Sequence, residues 1–264
     1  MKPAIPTIEE LAADANAYTT GLDVEVEERE GYVLKNNPIS PWPLFGLVLR
    51  QRLESEAVAD AVEAARGWFR ARGRARFGWA VADTATPADL AERLVDLGLE
   101  PYEDEPVFAG MVLEHEPPGT PGIEVRRVET FEDAVASGEI AMESFGLTEE
   151  ERAAARKDQR ERWERLRANP TGVDFVALID GNVVGSAGAS YTAAGLYLGG
   201  GNVAEAMRGR GVYRALVRAR WDEAVACGTP ALATQAGKMS RPILERLGFR
   251  TVCEIRGFLD KSGA

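Results

Sequence analysis

From residue 123 onward apolar and polar positions alternate with two distinct periods, and the switches between them mark out elements. Ile123 to Val128 alternates residue by residue, which predicts a half-buried strand. Phe131 to Phe145 and Thr148 to Ala168 carry helical spacing, and Thr148 followed by Glu151 fits a capping box at the start of the second helix. That helix is dense in charge, with Trp163 and Leu166 among its few large apolar residues, so a solvated face is expected. Two apolar runs, Val173 to Ile179 and Val183 to Ala189, flank Asp180-Gly181-Asn182 and predict a hairpin. Leu196 to Ala204 is strand-compatible. Val212, Leu216, Ala219 and Val225 then repeat with a helical rhythm until Gly228 and Pro230 end it. Pro230 to Thr234 reads as a buried strand and Met239 to Leu247 as a helix ending at Gly248, with a strand after it.

The first half carries a similar order. Val58, Val62, Ala65 and Phe69 give an amphipathic helix over Glu54 to Arg72, and Arg76 to Val81 follows as a strand. Thr86-Pro87 caps a further helix that ends at Leu97-Gly98-Leu99. Both halves thus read helix, strand, helix, Leu-Gly, strand. Between them Pro117, Pro118, Gly119, Pro121 and Gly122 crowd one short stretch, as a linker does. The expected division is residues 1–116, a linker at 117–122, and residues 123–264.

Candidate chemistry concentrates where the late strand meets its helix, at Met207-Arg208-Gly209-Arg210-Gly211-Val212-Tyr213-Arg214. Gly209 and Gly211 allow a tight turn and close approach of the backbone to a ligand. Unpaired N–H groups at the helix start, with the helix dipole, favour an anion such as a pyrophosphate, and Arg208, Arg210 and Arg214 add positive potential. A dinucleotide-binding fingerprint fits less well, because it follows the first strand and needs an acidic residue about twenty positions on, where this chain has Thr234 and Gln235. No Gly-Lys-Ser/Thr follows, which excludes a Walker loop.

At these residues the chain resembles the GCN5-related N-acetyltransferase (GNAT) superfamily, whose pyrophosphate motif is Arg/Gln-x-x-Gly-x-Gly/Ala, followed later by a helix ending in Leu-Gly-Phe. Arg208 to Val212 fits, and Leu247-Gly248-Phe249 lies at the expected distance. The resemblance implies an α/β (α+β) fold of two GNAT-like domains, each a mixed, largely antiparallel twisted sheet flanked by helices. It also implies acetyl-CoA as co-substrate, held by Arg208, Gly209, Arg210, Gly211, Val212, Tyr213 and Arg214, with Gly201, Asn202 and Val203 on a strand that splays from its neighbour and offers backbone groups to pantetheine. Tyr213 replaces the small last residue of the motif, and either loosens the grip on the phosphates or adds a phenol donor. Leu244 stands where the family commonly places a tyrosine that protonates the departing thiolate; Tyr213, Tyr191 and Tyr197 are substitutes from other positions, each expected to be structural. Leu49 to Leu53 has no glycine, and Glu54 and Glu56 follow it in the helix's first turn, where they would repel a pyrophosphate. The first half is therefore expected to be a degenerate copy that does not bind the cofactor.

Composition narrows the function further. A net charge of −11 opposes non-specific binding to nucleic acid or anionic membrane. No apolar run approaches the roughly 18 residues of a spanning helix, and the start lacks a secretion signal, so a cytoplasmic protein is expected. His115 is the single histidine and is expected to be a solvated loop residue, which leaves no histidine-based metal site or triad. Cys227 and Cys253 are expected to be small buried hydrophobes. No general base is assigned: 195–203 holds no carboxylate, Glu205 stands past the strand's end, and Glu143 is expected to be exposed. The expected function is transfer of an acetyl or acyl group to the amine of a small molecule or amino-acid derivative by direct attack, without metal and compatibly with a homodimer. The alternative is a non-catalytic acyl-CoA-binding or sensor protein.

Overall fold

The computed structural model describes residues 5–38 and 43–261. Helix α1 (Ile8–Tyr18) precedes strands β1 (Glu25–Arg29), β2 (Tyr32–Asn36) and β3 (Gly46–Leu49). Helix α2 (Val58–Arg70), β4 (Phe77–Ala82), α3 (Leu90–Asp96), β5 (Glu100–Pro101) and β6 (Val107–Leu113) complete the first half. The second half runs β7 (Glu124–Arg127), α4 (Phe131–Ser144), α5 (Glu149–Arg156), α6 (Gln159–Ala168), β8 (Gly172–Ile179), β9 (Asn182–Tyr191) and β10 (Leu196–Val203). It ends with α7 (Val212–Ala226), β11 (Leu232–Ala236), α8 (Arg241–Arg246) and β12 (Arg250–Asp260). The fold is a mixed α/β one with eight α-helices and twelve strands among the described residues.

Two compact units interleave along the chain: one takes residues up to 8 together with 113–234, the other takes 9–112 together with everything from 235 onward. In the second of these the strand order is β1-β2-β3-β4-β12-β6, with β5 also on β12. β3 and β4 run parallel and pair only at Leu47–Gly78 and Val48–Trp79, whereas β12 is antiparallel to both β4 and β6. Helix α2 buries Val58, Ala61, Val62, Ala65, Trp68 and Phe69, a stripe at three- and four-residue spacing. Phe69 stacks on Phe77 with ring centroids 4.1 Å apart, and full burial of such a side chain stabilises by about 1.5–3 kcal/mol.

The other unit orders its strands β11-β10-β9-β8-β7. Asp180 (φ 51°) and Gly181 (φ 77°) form the corner between β8 and β9, the left-handed pair that a two-residue hairpin needs. Phe175, Ala177, Val184 and Ala187 of the sheet pack against Val212 and Leu216 of α7. The capping box of α5 is present, with Thr148 and Glu151 bonded reciprocally.

Several elements differ from expectation. The helix expected over 148–168 is two, because Lys157 is extended and Asp158 turns left-handed at φ 57°. Each piece has its own anchor: Arg156 donates to both oxygens of Glu139 in α4, and the Trp163 ring sits 5.6 Å from that of Phe131. Neither helix buries a residue, so no apolar stripe holds the two collinear. A 3-10 turn, Ser55–Ala57, precedes α2, and α8 starts at Arg241 with Pro242 in its first turn. Cys253 is buried as expected, but Cys227 is exposed at the end of α7. Val225 is exposed as well, and the face of α7 turned inward includes Arg220 and Glu223.

Candidate functional site

Strand β10 is fully paired on one side only. Against β9 it pairs from Leu196 to Val203, while its parallel pairing with β11 stops after Leu196–Leu232 and Tyr197–Ala233. The Thr234 hydroxyl donates to the Leu198 carbonyl at 3.2 Å, and beyond it the edge 199–203 has no strand partner on the β11 side among the described residues. Gly199 to Gly201 hold a β-bulge in which Gly200, at φ 55°, is the extra residue. An extra residue of this kind re-aims the backbone locally. Gly201, Asn202 and Val203 lie on this open edge.

The chain leaves the edge through a 3-10 turn, Glu205–Met207, and Arg208 is extended. Gly209 (φ 77°) and Gly211 (φ 86°) then reverse it into α7, conformations that an L-residue adopts at a cost. The N–H groups of Gly209, Arg210 and Gly211 have no hydrogen-bond partner among the described residues, and the first helical bond runs from the Ala215 N–H to the Gly211 carbonyl. The amides of Val212, Tyr213 and Arg214 consequently have no carbonyl behind them. Among the described residues no side chain caps α7, and its first turn holds no acid, so neither offsets the positive end of its dipole. Arg208 and Arg210 are exposed. Val212 is buried in the core and anchors the helix start.

Tyr213 joins the two segments. Its ring lies over Gly201 so closely that a Cβ there would meet ring carbon Cε2 at 2.7 Å, so glycine at 201 and tyrosine at 213 fit as a pair. Arg214 donates through Nε to the Thr120 hydroxyl at 2.9 Å, and that hydroxyl donates to the Gly211 carbonyl at 3.3 Å. Thr120, from the proline-rich stretch, thus buttresses the turn. Nothing in the sequence distinguished it from the residues around it.

The other candidates are distributed elsewhere. Leu244 is buried and offers no proton. The Tyr191 hydroxyl donates to Glu223 at 2.9 Å, and burial together with that carboxylate pushes it up to about 12; burial pushes Tyr197 up to about 12 as well. Glu143 and His115 are exposed. Arg220, which sequence reasoning passed over, is 1 % exposed and hydrogen-bonded to strand carbonyls at 3.3 Å.

The corresponding turn after β3 is closed by its own chain. The Arg50 N–H donates to the Asp14 carboxylate at 3.0 Å, the Arg52 N–H to the Gly31 carbonyl and the Leu53 N–H to that of Thr86. Asp14 is buried at a kink in α1, and burial raises its pKa against the lowering effect of Arg52.

Residues 139–249 match the family model described as acetyltransferase (GNAT) family. A comparison with curated proteins finds no match. Among solved structures the chain is similar to a GCN5-related N-acetyltransferase from Kribbella flavida, at 15% identity and a TM-score of 0.69 over 97% of this chain and 96% of that one. It is also similar to a tandem GNAT protein from the clavulanic acid biosynthesis pathway, at 16% identity and a TM-score of 0.65 over 97% and 88%. A third, a GCN5-related N-acetyltransferase from Sphaerobacter thermophilus, has 18% identity and a TM-score of 0.60 over 89% and 81%. At these identities the likeness is one of fold.

Proposed function

We propose, from the match of residues 139–249 to the acetyltransferase (GNAT) family model, a family whose members transfer acyl groups from acyl-CoA, that the chain acetylates the amine of a small molecule or amino-acid derivative by direct attack. The observation that carries this reading is the open edge of β10 leading straight into an uncapped helix start. The unpartnered amides and the absence of an acid in the first turn of α7 fit a diphosphate. Gly209 to Arg214 would hold that diphosphate, Arg208 and Arg210 would add charge, and Gly201, Asn202 and Val203 would line the arm that follows.

Acetyl-CoA supplies an activated acyl carbonyl as its thioester. The amides of the β10 edge stabilise negative charge on that oxygen, at about 3 kcal/mol per donor in comparable sites. Because residues 195–203 hold no carboxylate, the substrate is expected to supply its own neutral amine: an α-amino group of pKa about 8 is roughly a tenth deprotonated at pH 7, a lysine near 10.4 under a thousandth. An amine of low pKa is the expected acceptor. Buried, apolar Leu244 favours a second reading, a non-catalytic acyl-CoA sensor. Thiol release from acetyl-CoA across a panel of amines, set beside calorimetric CoA binding, separates the two: release accelerated by an amine supports the enzyme, and binding without release supports the sensor.

The first half is proposed to be a degenerate copy, organised as residues 1–116 before a linker at 117–122 and the cofactor-binding domain at 123–264. Its support is the same local order of parallel strand pair, helix and strand around β3, α2 and β4. Asp14 there occupies with its own carboxylate the kind of N–H that stays open at Gly209 to Gly211.

A further inference from the structure

Arg220 is the residue that the proposed function leaves unexplained. Its guanidinium is buried, with Nε donating to the Leu216 carbonyl at 3.0 Å and Nη1 to the carbonyls of Gly188 and Gly200, both at 3.3 Å. No carboxylate is among the groups acting on it. The Tyr213 phenol acts on the guanidinium, and Nη2 is buried without a hydrogen-bond partner among the described residues. Removing an arginine from water without a counter-charge costs several kcal/mol, and a leucine or methionine would fill a helix face against a sheet without that penalty.

The position of the charge supplies a reason. Gly200 is the extra residue of the β10 bulge and has no register partner on β9, and Arg220 donates to its carbonyl. The peptide plane between Gly200 and Gly201 is trans, so a carbonyl aimed at the guanidinium sends the Gly201 N–H the opposite way. A cation on the carbonyl oxygen also withdraws electrons through the amide and strengthens that N–H as a donor.

Resting on the acyl-transfer reading above, we infer that Arg220 is a positioning residue, which fixes the bulge and polarises the Gly201 amide from behind so that this N–H, on the open edge of β10, stabilises negative charge on the acyl oxygen. Tyr213 completes the arrangement by packing its ring on Gly201 and its phenol beside the guanidinium. The Gly201 N–H remains present when Arg220 is changed, so the expected loss is smaller than the roughly 100-fold that follows deletion of a whole donor.

The test uses the full chain with Arg220→Gln, Arg220→Lys and Tyr213→Phe. Steady-state kinetics with acetyl-CoA and the amine that gives the fastest thiol release should show kcat lower by about 10-fold in Arg220→Gln. KM for acetyl-CoA should stay within about twofold. Arg220→Lys, which keeps the charge but reaches fewer carbonyls, should recover part of the loss. The infrared stretch of a bound ketone analogue of acetyl-CoA, labelled at its carbonyl, should be less red-shifted in Arg220→Gln than in the wild type. An unchanged stretch with unchanged kcat overturns the inference while leaving the function standing, as does a fall in kcat matched by an equal rise in KM. If Arg220→Gln does not fold, Arg220→Lys and Tyr213→Phe carry the same comparison, and wild-type values in both overturn it. A wild type that neither binds CoA nor releases thiol defeats the functional reading itself.

Discussion

Gly211→Ala strikes the turn that the proposed function depends on. Gly211 sits at φ 86°, and a Cβ added there would meet Thr120 Cγ2 at 2.7 Å. The left-handed conformation costs an L-residue about 1–2 kcal/mol, and relieving the contact by displacing packed groups adds about 1–3 kcal/mol. Thr120→Ser removes Cγ2 and keeps the hydroxyl that bonds Gly211 and Arg214. The double variant should therefore regain the steric part and retain the dihedral part. If the turn shifts enough to lose one amide–phosphate hydrogen bond, worth about 1.5–3 kcal/mol, the Kd for CoA rises by about 10- to 150-fold. Isothermal calorimetry and thermal melts of wild type, both single variants and the double variant measure this. A Gly211→Ala protein with wild-type CoA affinity would refute the claim that the turn shapes the anion site.

Three further outcomes follow from other parts of the molecule. Glu223→Ala leaves Arg127 and the Tyr191 hydroxyl without their shared carboxylate; unfolding stability should fall by about 3 kcal/mol, the low end for a broken buried pair because Arg127 is half exposed, and CoA affinity should not change. Lys35, bonded to Asn16 and Thr19 oxygens, is lowered by burial from 10.5 to about 8. Between those values the unfolded chain binds more protons than the folded one, so stability rises with pH across that window. Lys35→Arg, which stays charged, should lack the rise, and parallel denaturant midpoints for both proteins from pH 7.5 to 10 would contradict this. Thr148→Ala should cost about 1 kcal/mol and speed amide exchange at the start of α5 without altering α6.

Where one residue type at one spacing determines local backbone, the sequence is sufficient. Asp180-Gly181 allows a left-handed pair and makes the hairpin; Thr148 and Glu151 cap α5; Gly211 before a helical repeat of apolar positions sets the start of α7. Features that depend on distant partners were not readable. The break at Asp158 arises because α5 and α6 are held by different residues of α4, Glu139 and Phe131. Arg220 looks in sequence like any polar position of a charged helix, and its burial becomes legible only with the strand carbonyls of Gly188 and Gly200 that it reaches. Thr120 reaches the Gly211 turn from 91 residues away. Asp14 closes the turn at Arg50 from a helix that no apolar period announced.

Amide hydrogen exchange with and without CoA tests the central claim most directly. Slowed exchange at Gly209 to Arg214 and along 199–203, with no change at Arg50 to Leu53, is the predicted result. Unaltered exchange at Gly209 to Arg214 in saturating CoA, or slowing confined to Arg50 to Leu53, would contradict it.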